Sequence, residues 1–413
     1  MNPAPCPTSP QAEPSLPTSA DEPLLRWQEG GVEHVARWRS EAGLPPPRRV
    51  EVVDATLKAD VAYRLACSGT AMLWRGDFHN ARQLLQAIAR RCDEMGGKAG
   101  DKARGKAARA TPVFPEAFNL HRMRQAQRAR VLGQLLIPCE AGHRIPLRRA
   151  PDIVQAATEA YGPANAAYVL SLRELQGVIG AHEWRKNGVE IAALGARIYP
   201  HYGVFSPVRG EYVDLVAQAP LPAALAETNL AFDIGCGTGV LAAVLARRGV
   251  ARIIATDQEA RALACARDNV DRLGIGGQVE LSAVDLYPPG RAALVVCNPP
   301  WLPGKPSSGL EYAVYDPDSR MLKGFLAGLS AHLLPGGEGW LILSDLAEHL
   351  KLRAPDELAR LIEAAGLQVV GRLTARPLHP RASDPDDPLH AARAAELTSL
   401  WRLAPRPGPG PGR

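Results

Sequence analysis

The sequence predicts an α/β protein whose C-terminal half is a doubly wound, seven-stranded Rossmann-like sheet. Two observations support this fold. From residue 229 onward, apolar segments of strand length alternate with segments of helical periodicity, which is typical of an open, mostly parallel sheet. In addition, a glycine-rich loop follows the first of these apolar segments, at the edge where open α/β sheets bind ligands.

The alternation predicts seven strands and four principal helices. The segment 292–297 reads Ala-Ala-Leu-Val-Val-Cys and is apolar throughout, so it suits a strand that is buried on both faces. We expect strands at 230–235, 251–256, 278–283, 292–298, 338–344, 367–374 and 397–403. We expect helices at 238–248, 258–273, 318–334 and 355–365.

The chain of 413 residues is long enough for a separate N-terminal domain. Apolar residues at helical spacing over 80–92 predict that this domain is mostly helical. Two local patterns interrupt it: residues 96–110 predict a basic linker, and Asn187-Gly188 predicts a hairpin turn. The expected organisation is a disordered tail at 1–23, a basic substrate-recognition domain at 24–195, the α/β domain at 196–405 and a second disordered tail at 406–413.

The composition excludes several classes of protein. Hydrophobic residues make up 46% and charged residues 22% of the chain, which excludes wholesale disorder. No apolar run approaches the roughly 18 residues that span a bilayer, and the N-terminus has no pattern of a secretory signal. Seven cysteines without a Cys-x-x-Cys pair predict a reducing, cytoplasmic location. The scattered histidines predict no metal site.

A basic stretch stands out against a net charge of only +5. Residues 98–149 contain 12 Lys or Arg and three Asp or Glu. Such a stretch is consistent with a solvated helix face and loop, or with a contact surface for RNA or a ribosomal particle.

The glycine-rich loop carries the first functional signal, in the segment Asp233-Ile-Gly235-Cys-Gly237-Thr238-Gly239. Glycines allow a sharp turn and let a ligand approach the main chain. The third glycine comes one residue too early for the nicotinamide fingerprint, and an acid at the strand end suits a ligand with a positive group. S-adenosylmethionine (SAM), which bears an ammonium and a sulfonium, fits both features better than a nicotinamide dinucleotide.

Acids follow the next two predicted strands. Asp257 ends the second strand, where its carboxylate can accept hydrogen bonds from ribose hydroxyls. The alternative is a helix N-cap, a position that Asp favours. Asp285 and Leu286 follow the third strand and can contact an adenine amino group and ring, or can simply be turn residues.

The fourth predicted strand ends in Asn298-Pro299-Pro300-Trp301. The Asn298 side-chain oxygen and the Pro299 carbonyl are acceptors that can hold both N–H bonds of a planar NH2 group. The prolines stiffen the turn, and Trp301 offers a flat face for stacking. Such a clamp aims a nitrogen lone pair at a methyl donor, and no strong base is needed. The alternative is a structural Pro-Pro turn beside a core Trp.

Together these motifs resemble the class I SAM-dependent N-methyltransferases. The similarity is to the glutamine N5-methyltransferases of release factors and ribosomal proteins, and to the "small" domains that methylate ribosomal RNA. The segment 205–216 is similar to the Pro-Arg-Pro-Glu-Thr-Glu segment of the glutamine enzymes, with Arg209 and Glu211 in register. The resemblance covers about 200 residues, from about residue 199 to the C-terminus, and leaves the N-terminal half unmatched.

The resemblance implies that the last strand of the seven-stranded sheet is antiparallel, and it implies a role for each matching residue. Contacts to SAM fall on Asp233, Gly235, Gly237, Thr238, Gly239, Asp257, Asp285, Leu286 and Asn298. The catalytic clamp falls on Asn298, Pro299 and Trp301, and substrate contacts fall on Arg209, Glu211, Pro300 and Trp301. The glutamine enzymes usually carry Tyr at the position of Trp301, so the methyl donor is better supported than the acceptor.

The acceptor therefore stays open at this point. The favoured expectation is a glutamine side-chain amide in a release factor or ribosomal protein. The alternative is an exocyclic amine of ribosomal RNA, guanine N2 or adenine N6, with the basic residues 98–149 in contact with RNA or the ribosome. A third hypothesis is a non-catalytic module that keeps the fold and binds a partner.

Overall fold

The computed structural model describes residues 23–103, 113–306, 309–378 and 384–407. These residues form two main β-sheets, each covered by helices. The predicted tails at 1–23 and 406–413 lie almost wholly outside the described residues, although Arg406 donates a backbone hydrogen bond of 2.9 Å to Gly366. No helix within the described ranges combines the length and apolarity needed to cross a bilayer.

The N-terminal part contains a six-stranded mixed sheet in the order β1-β2-β6-β5-β4-β3, so the prediction of a mostly helical domain is wrong. Its strands are β1 (Leu24–Glu29), β2 (Val32–Trp38), β3 (Arg49–Val53), β4 (Thr70–Trp74), β5 (Leu135–Cys139) and β6 (Tyr168–Ser171). The error has a physical reason. The strands β4 and β5 are buried along their whole length, and periodicity cannot distinguish short, uniformly apolar runs from buried helix segments.

Five helices accompany this sheet. They are α1 (Ala59–Cys67), α2 (Phe78–Ala103), α3 (Glu116–Leu132), α4 (Val154–Tyr161) and α5 (Leu172–Asn187). The helix predicted at 80–92 lies within α2. That helix also runs through the first half of the predicted linker at 96–110, and residues 104–112 are outside the described ranges.

The hairpin predicted at Asn187-Gly188 was placed a few residues too early. Gly188 ends α5 with a φ of 67°, in the left-handed region that favours glycine. The antiparallel pair β7 (Val189–Ile191) and β8 (Ala196–Ile198) follows, and its turn lies at 192–195. The Asn-Gly pair therefore serves as a helix end rather than as the hairpin turn.

The C-terminal part confirms the predicted seven-stranded sheet. Its order is β11-β10-β9-β12-β15-β17-β16, and only β17 runs antiparallel to its neighbours within this sheet. The strands are β9 (Leu230–Ile234), β10 (Arg252–Thr256), β11 (Val279–Ser282), β12 (Ala292–Cys297), β15 (Leu333–Ser344), β16 (Leu367–Ala375) and β17 (Thr398–Pro405). The principal helices are α6 (Glu211–Gln218), α7 (Val240–Arg247), α8 (Ala260–Arg272), α9 (Arg320–His332) and α11 (Glu357–Ala364).

The register of the central strands decides where the site forms. Ile234 at the end of β9 is paired with Thr256 at the end of β10 and with Cys297 at the end of β12. All six residues of β12 are buried, as expected for a central strand covered on both faces. The loops that begin at residues 235, 257 and 298 therefore leave the sheet side by side.

Short elements complete the rim above these loops. They are the two-stranded pair β13 (Leu302–Pro303) and β14 (Tyr315–Asp316), with α10 (Leu346–His349) and α12 (His390–Ala395). Helix α3 of the N-terminal part packs into this rim through Phe118, which is only 4% exposed. The two parts of the chain thus meet beside the segment that follows Trp301.

Candidate active site

The glycine loop has the geometry that its sequence predicts. Gly235, Gly237 and Gly239 have φ angles of 72°, 54° and 76°, so each occupies a left-handed conformation that disfavours other residues. A Cβ placed on Gly237 would meet no heavy atom within 4 Å, which leaves open space above the backbone there. The carbonyl of Thr238, a buried residue, accepts a hydrogen bond of 3.1 Å from the Asn269 side chain, which braces the loop.

Asp233 lies beneath this loop and is 1% exposed. Its Oδ2 accepts a hydrogen bond of 2.9 Å from the backbone N–H of Ala242, whereas its buried Oδ1 has no partner among the described residues. Burial raises the pKa of Asp233 to about 7, and the nearby carboxylate of Asp257 adds to this shift. An unsatisfied buried acceptor next to open backbone fits a ligand that carries a positive or hydrogen-donating group.

Asp257 joins the second strand end to the glycine loop. Its Oδ2 accepts a hydrogen bond of 3.0 Å from the Gly237 N–H, and its Oδ1 accepts one of 3.0 Å from the Glu259 N–H ahead of α8. Burial raises its pKa despite these bonds. Asp257 therefore fixes the turn before α8, although the N-cap position itself falls on Glu259. Its contact with ribose hydroxyls stays a prediction.

The third strand end is arranged differently. The Asp285 carboxylate forms a half-exposed ion pair of 2.9 Å with Arg320, and Leu286, at a φ of 65°, packs its side chain towards Gly324. The Leu286 carbonyl accepts a 2.7 Å bond from the Thr256 hydroxyl. A contact of Asp285 with adenine would have to compete with Arg320, so this role stays a prediction.

Met321 is a site residue that the sequence did not reveal. A Cβ on Gly235 would lie 2.5 Å from its Cε, so the methionine side chain covers the first glycine of the loop. Asp316 positions Met321 by accepting a hydrogen bond of 3.0 Å from its backbone N–H at the start of α9. A methionine side chain has three rotatable bonds and can move to admit a ligand. No spacing signal links residue 321 to residue 235.

The Asn298-Pro299-Pro300-Trp301 segment leaves β12 directly beside the glycine loop. The indole Nε1 of Trp301 donates a hydrogen bond of 2.8 Å to Asn298 Oδ1. Pro299 is buried, while Asn298, Pro300 and Trp301 are half-buried and so keep some exposure at the rim. The Trp301 ring packs against apolar clusters on both faces of the sheet, and Arg353 donates a 3.3 Å bond to its carbonyl.

Arg209 and Glu211, which were predicted to contact the substrate, make their observed contacts with protein groups, so the substrate role stays a prediction. The Arg209 guanidinium lies 4.8 Å from the centre of the Trp301 ring, within cation–π distance. It also pairs with Glu211 at 2.8 Å and with Glu396 at 3.0 Å. Both carboxylate side chains are almost fully buried, so Arg209 is held rigidly against one indole face.

Glu396 completes this cluster and was missed by sequence reasoning. It precedes β17, far from Arg209 in sequence, and also accepts a hydrogen bond of 2.6 Å from Ser344 at the end of β15. It lies between the predicted strands at 367–374 and 397–403, where no motif singles it out. Only the topology brings residues 209, 301 and 396 together.

The cysteines beside the motifs have no reactive environment. Cys236 and Cys297 are buried, and burial raises the pKa of each thiol well above its usual value. A protonated, buried thiol is a poor nucleophile, so both cysteines are small packing residues here.

Comparison with known proteins shows which families the C-terminal part of the chain resembles. Residues 195–358 match the family described as "Methyltransferase small domain". The chain is 34% identical over 168 residues to the release factor glutamine methyltransferase of Cereibacter sphaeroides, which covers 37% of this chain and 58% of the relative. The predicted resemblance to class I SAM-dependent N-methyltransferases and the predicted cofactor, SAM, both agree with these matches.

The names of two further relatives also refer to components of the translation apparatus. The ribosomal RNA small subunit methyltransferase C of Alcanivorax borkumensis is 31% identical over 37% of this chain and 44% of the relative. The ribosomal protein L11 methyltransferase of Tolumonas auensis is 31% identical over 28% of this chain and 40% of the relative. The chain thus spans about half the length of the curated relatives it matches. Residues 195–358 are similar to methyltransferase small domains, and the matches support the predicted resemblance to the class I SAM-dependent methyltransferases.

Proposed function

We propose that this protein is a SAM-dependent N-methyltransferase whose acceptor is a glutamine side-chain amide in a protein of the translation apparatus, acting in the cytoplasm. The observation that carries this proposal is the pairing of β9 with β12. This pairing puts the glycine loop and the Asn298–Trp301 turn at one sheet edge. The glycine loop would form the pocket for the methyl donor, and Asn298–Trp301 would form a nitrogen clamp that holds the acceptor NH2 group. Because the two adjoin, they suit the transfer of one methyl group.

Groups at the glycine loop and at the ends of β9 and β10 would bind SAM, the methyl donor. Asp233 offers its unpartnered Oδ1 to the ammonium of the methionine part, and Gly237 leaves its backbone open to close approach. Asp257 would accept from the ribose hydroxyls with the lone pairs that Gly237 and Glu259 leave unused. SAM, when bound, supplies a methyl group on a positively charged sulfur. The acceptor nitrogen bonds to the methyl carbon, and the sulfur leaves with the electron pair of the broken bond as a neutral thioether.

The residues Asn298–Trp301 would promote the reaction by holding the amide nitrogen of the acceptor glutamine in position. An amide nitrogen is a poor nucleophile because its lone pair is delocalised, so holding it in line with the methyl group lowers the barrier. Asn298 Oδ1 and the Pro299 carbonyl would accept the two N–H bonds, while the Trp301 face opposite Arg209 would stack on the amide plane. The nitrogen gains positive charge as the bond forms and then loses a proton readily to water.

The charge distribution supports a protein acceptor over RNA. Seven arginines lie between residues 118 and 150. Four of them are ion-paired: Arg122 with Glu311, Arg128 with Asp93, Arg144 with Glu140 and Arg149 with Asp77. An arginine that already pairs with a carboxylate has less to gain from a phosphate. This reduces the basic surface on which the RNA alternative depends.

Methyl transfer from tritiated SAM tests the proposal. Purified protein is incubated with bacterial release factors, ribosomal proteins and ribosomal RNA, and labelled products are digested with protease or RNase. We expect protease-sensitive label that maps to one glutamine. RNase-sensitive label would favour an exocyclic base amine. Absence of heat in a calorimetric titration with SAM would favour a non-catalytic module.

A further inference from the structure

Helix α3 has apolar side chains on two different faces. Phe118 is 4% exposed, whereas Leu120 is 41% and Met123 is 62% exposed. A helix that packs only on its own protein keeps its apolar residues in one buried stripe. The second apolar face of α3, which the described residues leave exposed, therefore suggests contact with another molecule.

The first face anchors α3 to the rim of the candidate active site. Phe118 lies in a cluster of buried residues from three rim segments: Leu302 after Trp301, Leu346 and Leu350 after β15, and Leu389 before β17. All the partners belong to the methyltransferase part of the chain. The N-terminal end of α3 is thus packed firmly against the rim of the candidate active site.

Arg122, one turn further along, holds the segment that follows Trp301. Its guanidinium lies 4.1 Å from the centre of the Tyr315 ring, donates 2.9 Å to the Lys305 carbonyl and pairs with Glu311 at 3.5 Å. Three contacts from one side chain fix α3 against the segment 302–316. That segment begins directly at the nitrogen clamp.

The second face runs along the helix as a stripe of Leu120, Met123, Gln127 and Arg130, which follow one another at spacings of three and four residues. Arg124 flanks this stripe. Within the described ranges, neither Arg124 nor Arg130 pairs with a carboxylate, and both are exposed. The apolar end shares its turns with Phe118 and Arg122, so it lies nearest the rim, and the basic end lies further away.

We propose that this face of α3 binds the protein that carries the acceptor glutamine, through a surface that is apolar near the glutamine and acidic beside it. This inference rests on the proposed function, and it assigns the surface on which the acceptor protein docks. Exposed Leu and Met side chains suit a protein surface better than a phosphate backbone, and methionine adapts to irregular partners. The two arginines select negative charge on the partner.

Charge reversal on the stripe tests the docking surface. The double variant Arg124→Glu/Arg130→Glu is compared with Arg291→Glu, which reverses an exposed arginine just before β12, at the opposite edge of the sheet. Steady-state KM and kcat are measured with a purified bacterial release factor and tritiated SAM. The dissociation constant of the labelled release factor is measured by fluorescence anisotropy without SAM, so that docking is read independently of turnover.

We expect the double variant to raise both KM and the dissociation constant of the release factor about tenfold at low ionic strength, and less at high salt. The kcat and the SAM dissociation constant should stay within twofold, as should every value for Arg291→Glu. A Met123→Ser variant removes the apolar side chain without adding a charge, so it should weaken binding with little dependence on salt.

Unchanged docking in the double variant, or an equal loss in Arg291→Glu, would overturn the inference while leaving methyl transfer by the wild-type protein intact. Loss of binding to 16S ribosomal RNA with unchanged binding of the release factor would overturn it in favour of RNA. If the wild-type protein binds release factor but transfers no methyl group, the proposed function fails and the anisotropy measurement still decides the docking surface.

Discussion

The indole nitrogen of Trp301 donates a hydrogen bond of 2.8 Å to the side-chain oxygen of Asn298. This bond fixes the orientation of the Asn298 amide, because only the oxygen can accept from an N–H group. It also means that a substrate N–H would share this oxygen with the indole, using its second lone pair. Trp301 thus has two separable roles: it orients Asn298, and its ring offers a stacking face.

Substitutions at Trp301 separate these roles. Trp301→Phe keeps a flat ring but removes the N–H group, so we expect kcat to fall about tenfold with the dissociation constant of SAM unchanged. Trp301→Ala removes both roles and should lower kcat about a thousandfold. Single-turnover transfer from tritiated SAM measures both, with Trp184→Phe, at a half-exposed position on α5, as control. Equal losses in the Phe and Ala variants would argue against a stacking role for the ring.

Arg209 should act as a positioning residue for Trp301. Arg209→Lys keeps the charge beside Glu211 and Glu396 but loses the planar group that covers the indole. We expect the KM for the acceptor to rise and kcat to fall, together by about tenfold to a hundredfold, with SAM affinity unchanged. Calorimetry with SAM and steady-state transfer kinetics measure these values.

The chain provides a matched control for this substitution. Arg372 lies 4.1 Å above the Trp401 ring at the far edge of the same sheet, so Arg372→Lys alters a similar stacked pair away from the clamp. Arg372 is exposed and bonds to the Ser399 hydroxyl rather than to buried carboxylates, so Arg372→Lys should cost less stability than Arg209→Lys. It should leave KM and kcat near the wild-type values. A similar kinetic loss in both variants would argue against a specific positioning role for Arg209.

The sequence was sufficient to predict the C-terminal sheet because its signals are local. Each strand there is an apolar run that ends in a turn, and the positions of the strands follow within a few residues. The glycine loop and the Asn298 turn could be placed together because parallel strands present their carboxyl ends at one edge. Asp233, Asp257 and Asn298 therefore lie where their motifs predicted.

The remaining features depend on contacts between distant segments. Glu396 and Met321 reach the site only through topology, and neither belongs to a motif with a recognisable spacing. The N-terminal sheet was missed for a related reason, since β4 and β5 are short runs without alternation. Burial of β1 does alternate, with Leu25 and Trp27 inward, and this pattern could have been read as a strand.

Gly237 should be needed for SAM binding more than for folding. Gly237→Ala places a methyl group in the open space of the loop at a φ of 54°, whereas Gly274→Ala does so at a φ of 68°, also in open space, in the turn after α8. Both variants force an alanine into the left-handed region at a cost of about 1–2 kcal/mol. We expect only Gly237→Ala to weaken SAM binding in calorimetry, by about tenfold or more. Equal SAM affinity in the two variants would remove the loop from the donor pocket.

Asp233 should make stability and SAM affinity depend on pH in opposite directions. Its pKa in the folded protein is about 7, above the value of 3.8 of an unperturbed Asp, so the folded state holds a proton that the unfolded state has lost. The free energy of unfolding should therefore fall as the pH rises from about 4 to about 7, and then level off. Between pH 5 and pH 8 the loss attributable to this group should reach at most about 3 kcal/mol.

Ionised Asp233 attracts the ammonium of SAM, so SAM affinity should rise over the pH range in which stability falls. Asp233→Asn cannot titrate, and we expect it to flatten both profiles relative to the wild type, while Asp214→Asn, at an exposed position on α6, should leave both unchanged. Urea unfolding of the ligand-free protein and calorimetry with SAM at pH 5 to 8 measure the two profiles. A wild-type unfolding profile that runs parallel to that of Asp233→Asn would contradict the raised pKa, because the buried carboxyl would then hold the same charge in both states of the chain.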